Sequence, residues 1–284
     1  MKILITGASG YIGRSFISTF EDKYEFIPFS LLTNNVKSID FHNAHVVLHC
    51  AALVHKKIEY PYEKYYEINV EYPVALAKKA KASGVKQFIF ISTIAVYGEN
   101  KQILCENTEY HPVTHYGKSK LEAEQQLQEL SDANFVVSII RPPMVYGKNA
   151  PGNIHSLVNL VKKVPFLPLA QIHNNRSFIY IGNLCHLVNM IIEKQKGGVF
   201  LASDGEAVST TRLIELIAEG IGKKIYLLKI PFFESLLNLV KPSFHKRLYG
   251  SLVVDDSITR ERLALVYPYS LEDGIKLMLS GANE

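Results

Sequence analysis

The chain has 284 residues, of which 48% are hydrophobic and 20% are charged. This composition excludes an intrinsically disordered chain, because it supplies enough apolar surface for a large folded core. The formal net charge is +4, from 31 basic and 27 acidic residues. The basic residues are scattered, and their richest run, at 78–81, is typical of a solvated helix face, which argues against a nucleic-acid-binding protein.

Cysteine usage and hydropathy indicate the compartment. Cys50, Cys105 and Cys185 lack the spacing of metal ligands, which predicts a reducing environment and no structural metal. No apolar run reaches the roughly 18 residues that span a bilayer, and an apolar strand begins at residue 2. We therefore expect a cytoplasmic protein without a transmembrane segment or a signal peptide.

The first motif is a strand that turns directly into a helix. Lys2–Thr6 is apolar and partly β-branched, glycines follow at a spacing of three, and a helical apolar pattern runs from Tyr11 to Asp22. Such a turn directs unpaired backbone N–H groups and the positive helix end at a diphosphate, and only glycine lets the backbone approach so closely. The cofactor contacts predicted here are Gly7, Ser9, Gly10, Tyr11, Ile12 and Gly13.

The second strand, Tyr24–Phe29, leaves the cofactor's phosphate undecided. Neither an acid for a ribose 2′-hydroxyl nor a base for a 2′-phosphate stands at its end, although Arg14 and Lys37 could reach a phosphate. The sequence therefore does not distinguish NAD from NADP as the cofactor. Residues 35–40 form either a brief third strand or, more simply, a turn, with Asp40 and Phe41 placed for an adenine contact.

Strands then alternate with helices. Strands are predicted at 45–50, 87–93 and 135–140, and helices at 61–83 and 116–130. This alternation predicts an α/β protein with a Rossmann-type, doubly wound parallel sheet whose ligand lies at the carboxyl ends of the strands. The cofactor contacts predicted near those ends are Cys50, Ala51, Ala52, Asn69, Ser92 and Pro143.

The pattern changes after Arg141. A link rich in Pro, Gly and Asn spans 147–152, helical patterns lie near 153–164, 182–194, 209–220 and 256–264, and 198–202 reads as a strand that returns to the main sheet. We predict a cofactor domain of residues 1–145 plus segments near 177–203. Residues 146–284 mainly form a smaller, discontinuous substrate lobe.

Thr93, Tyr116 and Lys120 carry the predicted chemistry. Tyr116 and Lys120 are four residues apart at the start of a helix and share one face, and Thr93 ends the neighbouring strand. A hydroxyl, a phenol and an ammonium together can move a proton at an alcohol or a ketone. A tyrosine needs its pKa lowered by about 3 units from about 10 for this, roughly 4 kcal/mol, and nearby positive charge acts in that direction.

Four motifs together resemble the extended short-chain dehydrogenase/reductases, the nucleotide-sugar epimerase/dehydratase family. They are the glycine turn, Thr93-x-x-x-Tyr97-Gly98, Tyr116-x-x-x-Lys120 and the run Arg141 to Gly147. The resemblance implies a cofactor domain that holds NAD or NADP and a lobe that holds a nucleotide sugar. It also implies that Thr93 and Tyr116 bond the reacting oxygen, with Tyr116 as acid and base. Lys120 would bond the nicotinamide ribose and lower the pKa of Tyr116.

The resemblance extends into the second half. Asn153, Arg176 and Arg247 resemble contacts to a UDP-sugar, and the two guanidinium groups would hold its diphosphate. Residues 177–180 resemble the strand that docks the lobe onto the cofactor domain. A 4,6-dehydratase would have an Asp-Glu pair after Thr93, where this chain has Ile94-Ala95, so that reaction is excluded.

The similarity is greatest to enzymes that act at C4 of UDP-N-acetylhexosamines or their 4-keto-6-deoxy derivatives in surface-polysaccharide synthesis. We slightly favour a 4-ketoreductase over a 4-epimerase with tightly bound NAD. A non-catalytic protein that senses NADP(H) or scaffolds a partner is a third hypothesis, which the intact Thr93, Tyr116 and Lys120 disfavour. The resemblance implies a homodimer. A lipid-linked substrate is also open: 232–240 is the amphipathic candidate for a membrane-facing surface, although core packing is its commoner role.

Overall fold

A computed structural model describes residues 1–30, 39–41, 43–54, 60–98 and 103–280. Its strands are β1 (Lys2–Thr6), β2 (Glu25–Phe29), β3 (Ala44–His49), β4 (Gln87–Ile91), β5 (Ile103–Leu104), β6 (Val136–Arg141), β7 (Met144–Tyr146), β8 (Phe166–Leu167), β9 (Arg176–Tyr180), β10 (Gly198–Leu201), β11 (Ala207–Val208), β12 (Tyr226–Leu227) and β13 (Val253–Val254). Its helices are α1 (Tyr11–Phe20), α2 (Tyr62–Tyr66), α3 (Tyr72–Ala82), α4 (His115–Gln128), α5 (Asn153–Lys163), α6 (Ile181–Lys194), α7 (Thr210–Gly220), α8 (Phe233–Val240), α9 (Pro242–Tyr249), α10 (Ser257–Leu263) and α11 (Leu271–Leu279).

The central sheet has the strand order β10-β6-β4-β3-β1-β2, and all of its pairings are parallel. This confirms the predicted α/β class, including the return of residues 198–201 to the sheet beside β6. Strand order reverses beside β1, where β2 lies on one side and β3 on the other. Ligands of open parallel sheets bind at such a reversal, outside the carboxyl ends of the strands.

Helices cover both faces of this sheet, which is why its strands are apolar on both sides. On one face α1 and α6 close a core around Phe16, Leu48 and Ile191. On the other face α3 and α4 close a second core around Val47, Phe88 and Leu127.

The helix predicted at 61–83 is present, but one turn in it is wider than an α-helical turn. Residues Glu67–Glu71 form a π-helical turn between α2 and α3. Such π-helical turns are rare in proteins, and many of those that occur lie at functional sites. Here the turn carries Asn69, whose side chain is buried.

The second half builds a separate apolar core. Helices α5, α7 and α11 pack around Val161, Phe178 and Ile217, and β7, β9 and β11 form a small sheet beside them. The predicted helices at 153–164, 182–194, 209–220 and 256–264 correspond to α5, α6, α7 and α10. The exact division into two domains stays a prediction.

None of the helices that the structure describes is long and apolar enough to cross a bilayer. The predicted cytoplasmic location and homodimer stay predictions.

Candidate functional site

The glycine turn forms a tight backbone cradle between β1 and α1. Gly7 has a φ of +70°, and a Cβ there would lie 2.7 Å from Ala51 N. A Cβ on Gly13 would lie 2.4 Å from Gly7 O, and Gly10 N donates a hydrogen bond to that same oxygen at 2.9 Å. No side chain caps the start of α1, so its first N–H groups are available to an anion. The cradle therefore fits the diphosphate of a dinucleotide.

This packing gives a prediction with an internal control. Gly84 also has a positive φ, +83°, but nothing lies within 4 Å of where its Cβ would be. We expect Gly84→Ala to cost about 1–2 kcal/mol of unfolding free energy from backbone strain alone. Gly7→Ala adds overlap with Ala51, about 1–3 kcal/mol more, and weakens NAD binding. Urea unfolding and titration with NAD measure both; equal losses in the two variants would contradict the predicted role of the cradle.

Tyr11 and its neighbours in the turn differ in exposure. Ser9 is exposed and Ile12 is half-buried. The Tyr11 hydroxyl is buried without a hydrogen-bond partner among the described residues, and burial raises its pKa. It lies beside Gly147, where a Cβ would be 2.6 Å from the hydroxyl oxygen. Tyr11 thus packs the turn against the end of β7. It does not distinguish NAD from NADP.

The loop after β3 is held in place by the side chain of Asn69. Cys50, Ala51 and Ala52 are half-buried against the glycine turn. Asn69 accepts a hydrogen bond from Leu53 N at 2.8 Å and donates to Leu53 O at 3.0 Å and to Ser119 Oγ at 3.0 Å. Its polar atoms are thus engaged within the protein. Asn69 positions this loop, and the predicted direct cofactor contact gains no support.

Thr93 and Tyr116 meet because two short elements approach closely. Thr93 follows β4 and caps a 3₁₀ turn, accepting a hydrogen bond from Ala95 N at 3.2 Å. Helix α4 is capped by Thr114, and a Cβ on Gly117 would lie 2.7 Å from Ala95 O. Only glycine permits this approach, which brings the Thr93 hydroxyl near that of Tyr116, where it acts to lower the pKa of Tyr116.

The acid-base properties of Tyr116 differ from the sequence expectation. Burial raises the pKa of Tyr116 to about 12, the hydrogen bond with Thr93 opposes the rise, and the charge of Glu124 adds to it. The structure by itself therefore keeps the phenol protonated at neutral pH. Lowering its pKa requires added positive charge, such as that of an oxidised nicotinamide.

Lys120 lies fully buried one helical turn beyond Tyr116. Burial lowers the pKa of Lys120 to about 7, while Glu124 and Cys50 act in the opposite direction. Its Nζ lies 3.6 Å from the centre of the Phe90 ring and has no hydrogen-bond partner among the described residues. A buried ammonium of this kind can bond ribose hydroxyls, which fits the predicted cofactor contact.

A buried ionic network behind these residues was not predicted. Glu124 accepts hydrogen bonds from Arg141 Nε at 3.1 Å and from the Ser92 hydroxyl, and Arg141 also donates to the Tyr97 hydroxyl. Glu124 and Arg141 are each 1% exposed. The network ties α4 to the carboxyl ends of β4 and β6. Ser92 is therefore a positioning residue. The sequence signal for the network was Glu124, which stands four residues after Lys120 on the same face of the helix.

Some residues that the sequence predicted to contact the cofactor do not lie near the glycine turn in the structure, or lie outside the described residues. Ile39 O accepts a hydrogen bond from Lys79 near the end of α3, and Phe41 O accepts one from Ala44 at the start of β3. This segment is at the edge where strands begin, opposite to the glycine turn, and Phe41 is buried. The adenine contact proposed for Asp40 and Phe41 is therefore not supported. The possible strand at 35–40 and the phosphate contact of Lys37 lie largely or wholly outside the described residues.

The second half adds a pocket whose lining begins just beyond the carboxyl end of β6 and includes none of Thr93, Tyr116 and Lys120. Pro143 is buried between β6 and β7, and Pro142 O accepts a hydrogen bond from Ile94 N at 3.2 Å, which joins the 3₁₀ turn to the lobe. A cavity of about 480 Å³ begins at Met144. Its lining includes the predicted diphosphate ligands Arg176 and Arg247. Asn153 begins α5, and its side chain lies outside the described part of the chain.

The two arginines differ in solvent exposure. Arg176 is half-buried at the start of β9 and donates a hydrogen bond to Gly250 O at 2.9 Å, whereas Arg247 is exposed on α9. The other lining residues are mainly apolar: Met144, Ile154, Leu157, Leu160, Leu167, Pro168, Leu169, Phe178, Leu213, Phe233, Phe244 and Leu248, with Ser156 and Thr210. The pocket therefore combines two cations with an apolar wall.

Comparisons with known proteins agree with this geometry. The sequence profile of the NAD dependent epimerase/dehydratase family matches residues 3–202. A UDP-glucose 4-epimerase of Vibrio cholerae is 38% identical over 97% of this chain and 93% of its own. An N-acetyl-alpha-D-glucosaminyl-diphospho-ditrans,octacis-undecaprenol 4-epimerase of Escherichia coli O157:H7 is 26% identical over 81% of this chain and 76% of its own. The crystal structure of a UDP-glucuronic acid 4-epimerase from Bacillus cereus in complex with NAD shares the fold, with a TM-score of 0.78 at 20% identity over 99% of this chain and 98% of that one.

Proposed function

The chain belongs to the NAD dependent epimerase/dehydratase family, and from that premise we propose that it interconverts the C4 epimers of a hexose or N-acetylhexosamine carried on a diphosphate. The family resemblance predicted from the motifs is confirmed, and with it an enzyme of the extended short-chain dehydrogenase/reductase type that uses NAD or NADP. The observation that supports the chemistry is the meeting of Thr93, Tyr116 and Lys120, which can move a proton at an alcohol or a ketone. The 4-epimerase relatives support C4 as the reacting carbon.

The chain's own residues perform the proton transfer. The Thr93 and Tyr116 hydroxyls lie near each other and would both bind the oxygen on C4 of the sugar. Tyr116 takes the proton of that oxygen as C4 is oxidised and returns it as C4 is reduced. NAD or NADP, held by these residues, would supply the hydride acceptor and donor for C4. Epimerisation would require the ketosugar to turn its other face towards the cofactor within the site.

Binding residues flank this centre on both sides. The glycine cradle and the buried Lys120 ammonium would hold the dinucleotide, the first through backbone N–H groups and the second through ribose hydroxyls. Arg176 and Arg247 line the adjoining pocket and would hold the substrate diphosphate, for which two guanidinium groups are suited.

The sequence slightly favoured a 4-ketoreductase, whereas we now prefer a 4-epimerase. Both reactions use the same three residues, so the site geometry supports them equally. The relatives in Vibrio cholerae and Escherichia coli O157:H7 are both 4-epimerases. We therefore place the epimerase first, and reduction of a UDP-4-keto-6-deoxy-N-acetylhexosamine second.

Two linked measurements test the proposal. Denaturing the purified protein should release close to one NAD per chain, identified by mass spectrometry. Without added cofactor, the protein should convert UDP-glucose or UDP-N-acetylglucosamine, or the same sugar diphosphate on a lipid, to its C4 epimer in ¹H NMR spectra. An empty site that takes up NADPH and reduces a 4-keto sugar would replace the epimerase with the reductase, and bound cofactor without turnover of any of these would favour the non-catalytic hypothesis.

A further inference from the structure

Helices α8 and α9 form a hairpin that leaves a large apolar surface uncovered. Neither helix contains a buried residue. Of the two roles that the sequence left open for 232–240, an amphipathic outer surface fits this exposure better than core packing. The exposed apolar side chains between residues 228 and 244 are Leu228, Ile230, Phe232, Leu236, Leu239, Val240 and Phe244.

The exposed side chains of α8 follow helical spacing. Leu236, Leu239 and Val240 stand at positions i, i+3 and i+4, and Leu239 is 82% exposed. Phe232, which is 86% exposed, immediately precedes the helix. Phe233, by contrast, packs against the core of the lobe. A contiguous apolar stripe on a helix that already packs by another side marks an interaction surface.

The charges around this stripe are almost all positive. Between residues 229 and 247 the basic residues are Lys229, Lys241, Lys246 and Arg247, and the only acidic residue is Glu234. Glu234 is itself paired with His245 at 3.2 Å. The rest of the chain carries 27 basic and 26 acidic residues, so the hairpin accounts for most of the net charge of +4. An apolar helix face bordered by basic residues is complementary to an anionic lipid surface.

The same hairpin forms one wall of the pocket. Phe233, Phe244 and Arg247 line the cavity, and Phe244 is also 46% exposed on the outer surface. Across the opening, Leu160 of α5 lines the cavity and is partly exposed as well. The apolar lining is therefore continuous with the apolar surface, and both arginines lie within it.

We propose that the α8–α9 hairpin docks on an anionic membrane surface, and that the pocket beside it takes a sugar diphosphate carried on a polyisoprenyl lipid. The hairpin inserts its apolar stripe among the lipids while its basic residues meet their phosphates. The apolar wall of the pocket contacts the first isoprene units, and Arg176 and Arg247 hold the diphosphate. The substrate assignment rests on the proposed C4 chemistry, whereas membrane docking does not.

Vesicle binding tests the docking. The full chain should cosediment with vesicles of phosphatidylglycerol and phosphatidylcholine, more weakly at high salt, and far less with phosphatidylcholine alone. The variant Leu236→Ser/Leu239→Ser should bind at least about tenfold more weakly. Val266→Ser is the matched control, because Val266 is 81% exposed but lies next to α10, and it should bind like the parent.

Failure of the parent protein to bind anionic vesicles, or equal binding by the double variant, would overturn the docking. Analytical ultracentrifugation separates another occupant: a dimer that the double variant converts to a monomer, without vesicle binding by the parent, would assign the hairpin to a second copy of the chain.

Turnover tests the substrate class. N-acetylglucosamine diphosphate is presented on UDP or on a polyisoprenol in the same vesicles, and C4 epimers are measured. The parent should act on the lipid-linked form with a kcat/KM at least about tenfold higher. The double variant should lose this advantage in vesicles and retain turnover in detergent micelles, where docking is not required. Turnover of the UDP form alone would overturn the lipid assignment only, whereas turnover of neither form would overturn the C4 chemistry.

Discussion

Replacing Tyr116 with phenylalanine is expected to lower kcat/KM about a thousandfold, equivalent to about 4 kcal/mol of transition-state stabilisation. The substitution removes the one hydroxyl oxygen that can both take and return the C4 proton, and leaves a ring of the same shape between Thr93 and the substrate. Initial rates of epimer formation measure the loss. Because Tyr116 acts on the sugar, NAD content and the free energy of unfolding should stay close to those of the parent.

A second tyrosine provides the control for this variant. Tyr226 on β12 is exposed and stacks on Phe166 with ring centres 5.3 Å apart. Tyr226→Phe removes the same atom away from the proposed proton path and should leave kcat/KM unchanged. A Tyr116→Phe protein with NAD bound and more than about a tenth of the parent activity would show that another group transfers the proton.

Removing one partner of the Glu124–Arg141 pair is expected to cost about 3–5 kcal/mol of unfolding free energy. Both groups are 1% exposed, so neither can regain water when the other is lost. Glu124→Gln leaves the guanidinium charge of Arg141 buried without an opposite charge. Arg141→Met leaves the carboxylate of Glu124 buried without an opposite charge.

Urea unfolding measures these effects. The double variant Glu124→Gln/Arg141→Met should lose less than the two single variants together, because no unpaired charge remains. The exposed pair of Lys64 and Glu67, 2.7 Å apart, is the matched control, and Lys64→Met should leave the free energy of unfolding nearly unchanged because water screens this pair. Additive losses at 124 and 141 would show that the two charges do not depend on each other.

The same pair connects stability to the active site. Glu124 lies on α4 with Tyr116 and Lys120, and its bonds to Ser92 and Arg141 hold that helix against the ends of β4 and β6. Thr93 is the residue after Ser92. Loss of the network should therefore also disturb the contact between Thr93 and Tyr116, although neither Glu124 nor Arg141 is placed on the substrate.

The sequence by itself determined the features whose signals are local. A strand-glycine-helix turn and a four-residue helical spacing are read within a dozen residues, and they correctly predicted the parallel sheet and the family. The structure adds the contact between Thr93 and Tyr116. Alternating apolar strands and helices also indicated that 198–201 returns to the sheet.

Only the tertiary structure decided which polar and apolar groups are buried and what they contact. Asn69 looked like a cofactor ligand but bonds the loop at Leu53, and Phe41 packs at the opposite edge of the sheet. The pairing of Glu124 with Arg141 joins groups 17 residues apart, and the sequence of α8 was compatible with either an exposed or a buried apolar face. Burial depends on which distant segments pack together, so spacing along the chain does not determine it.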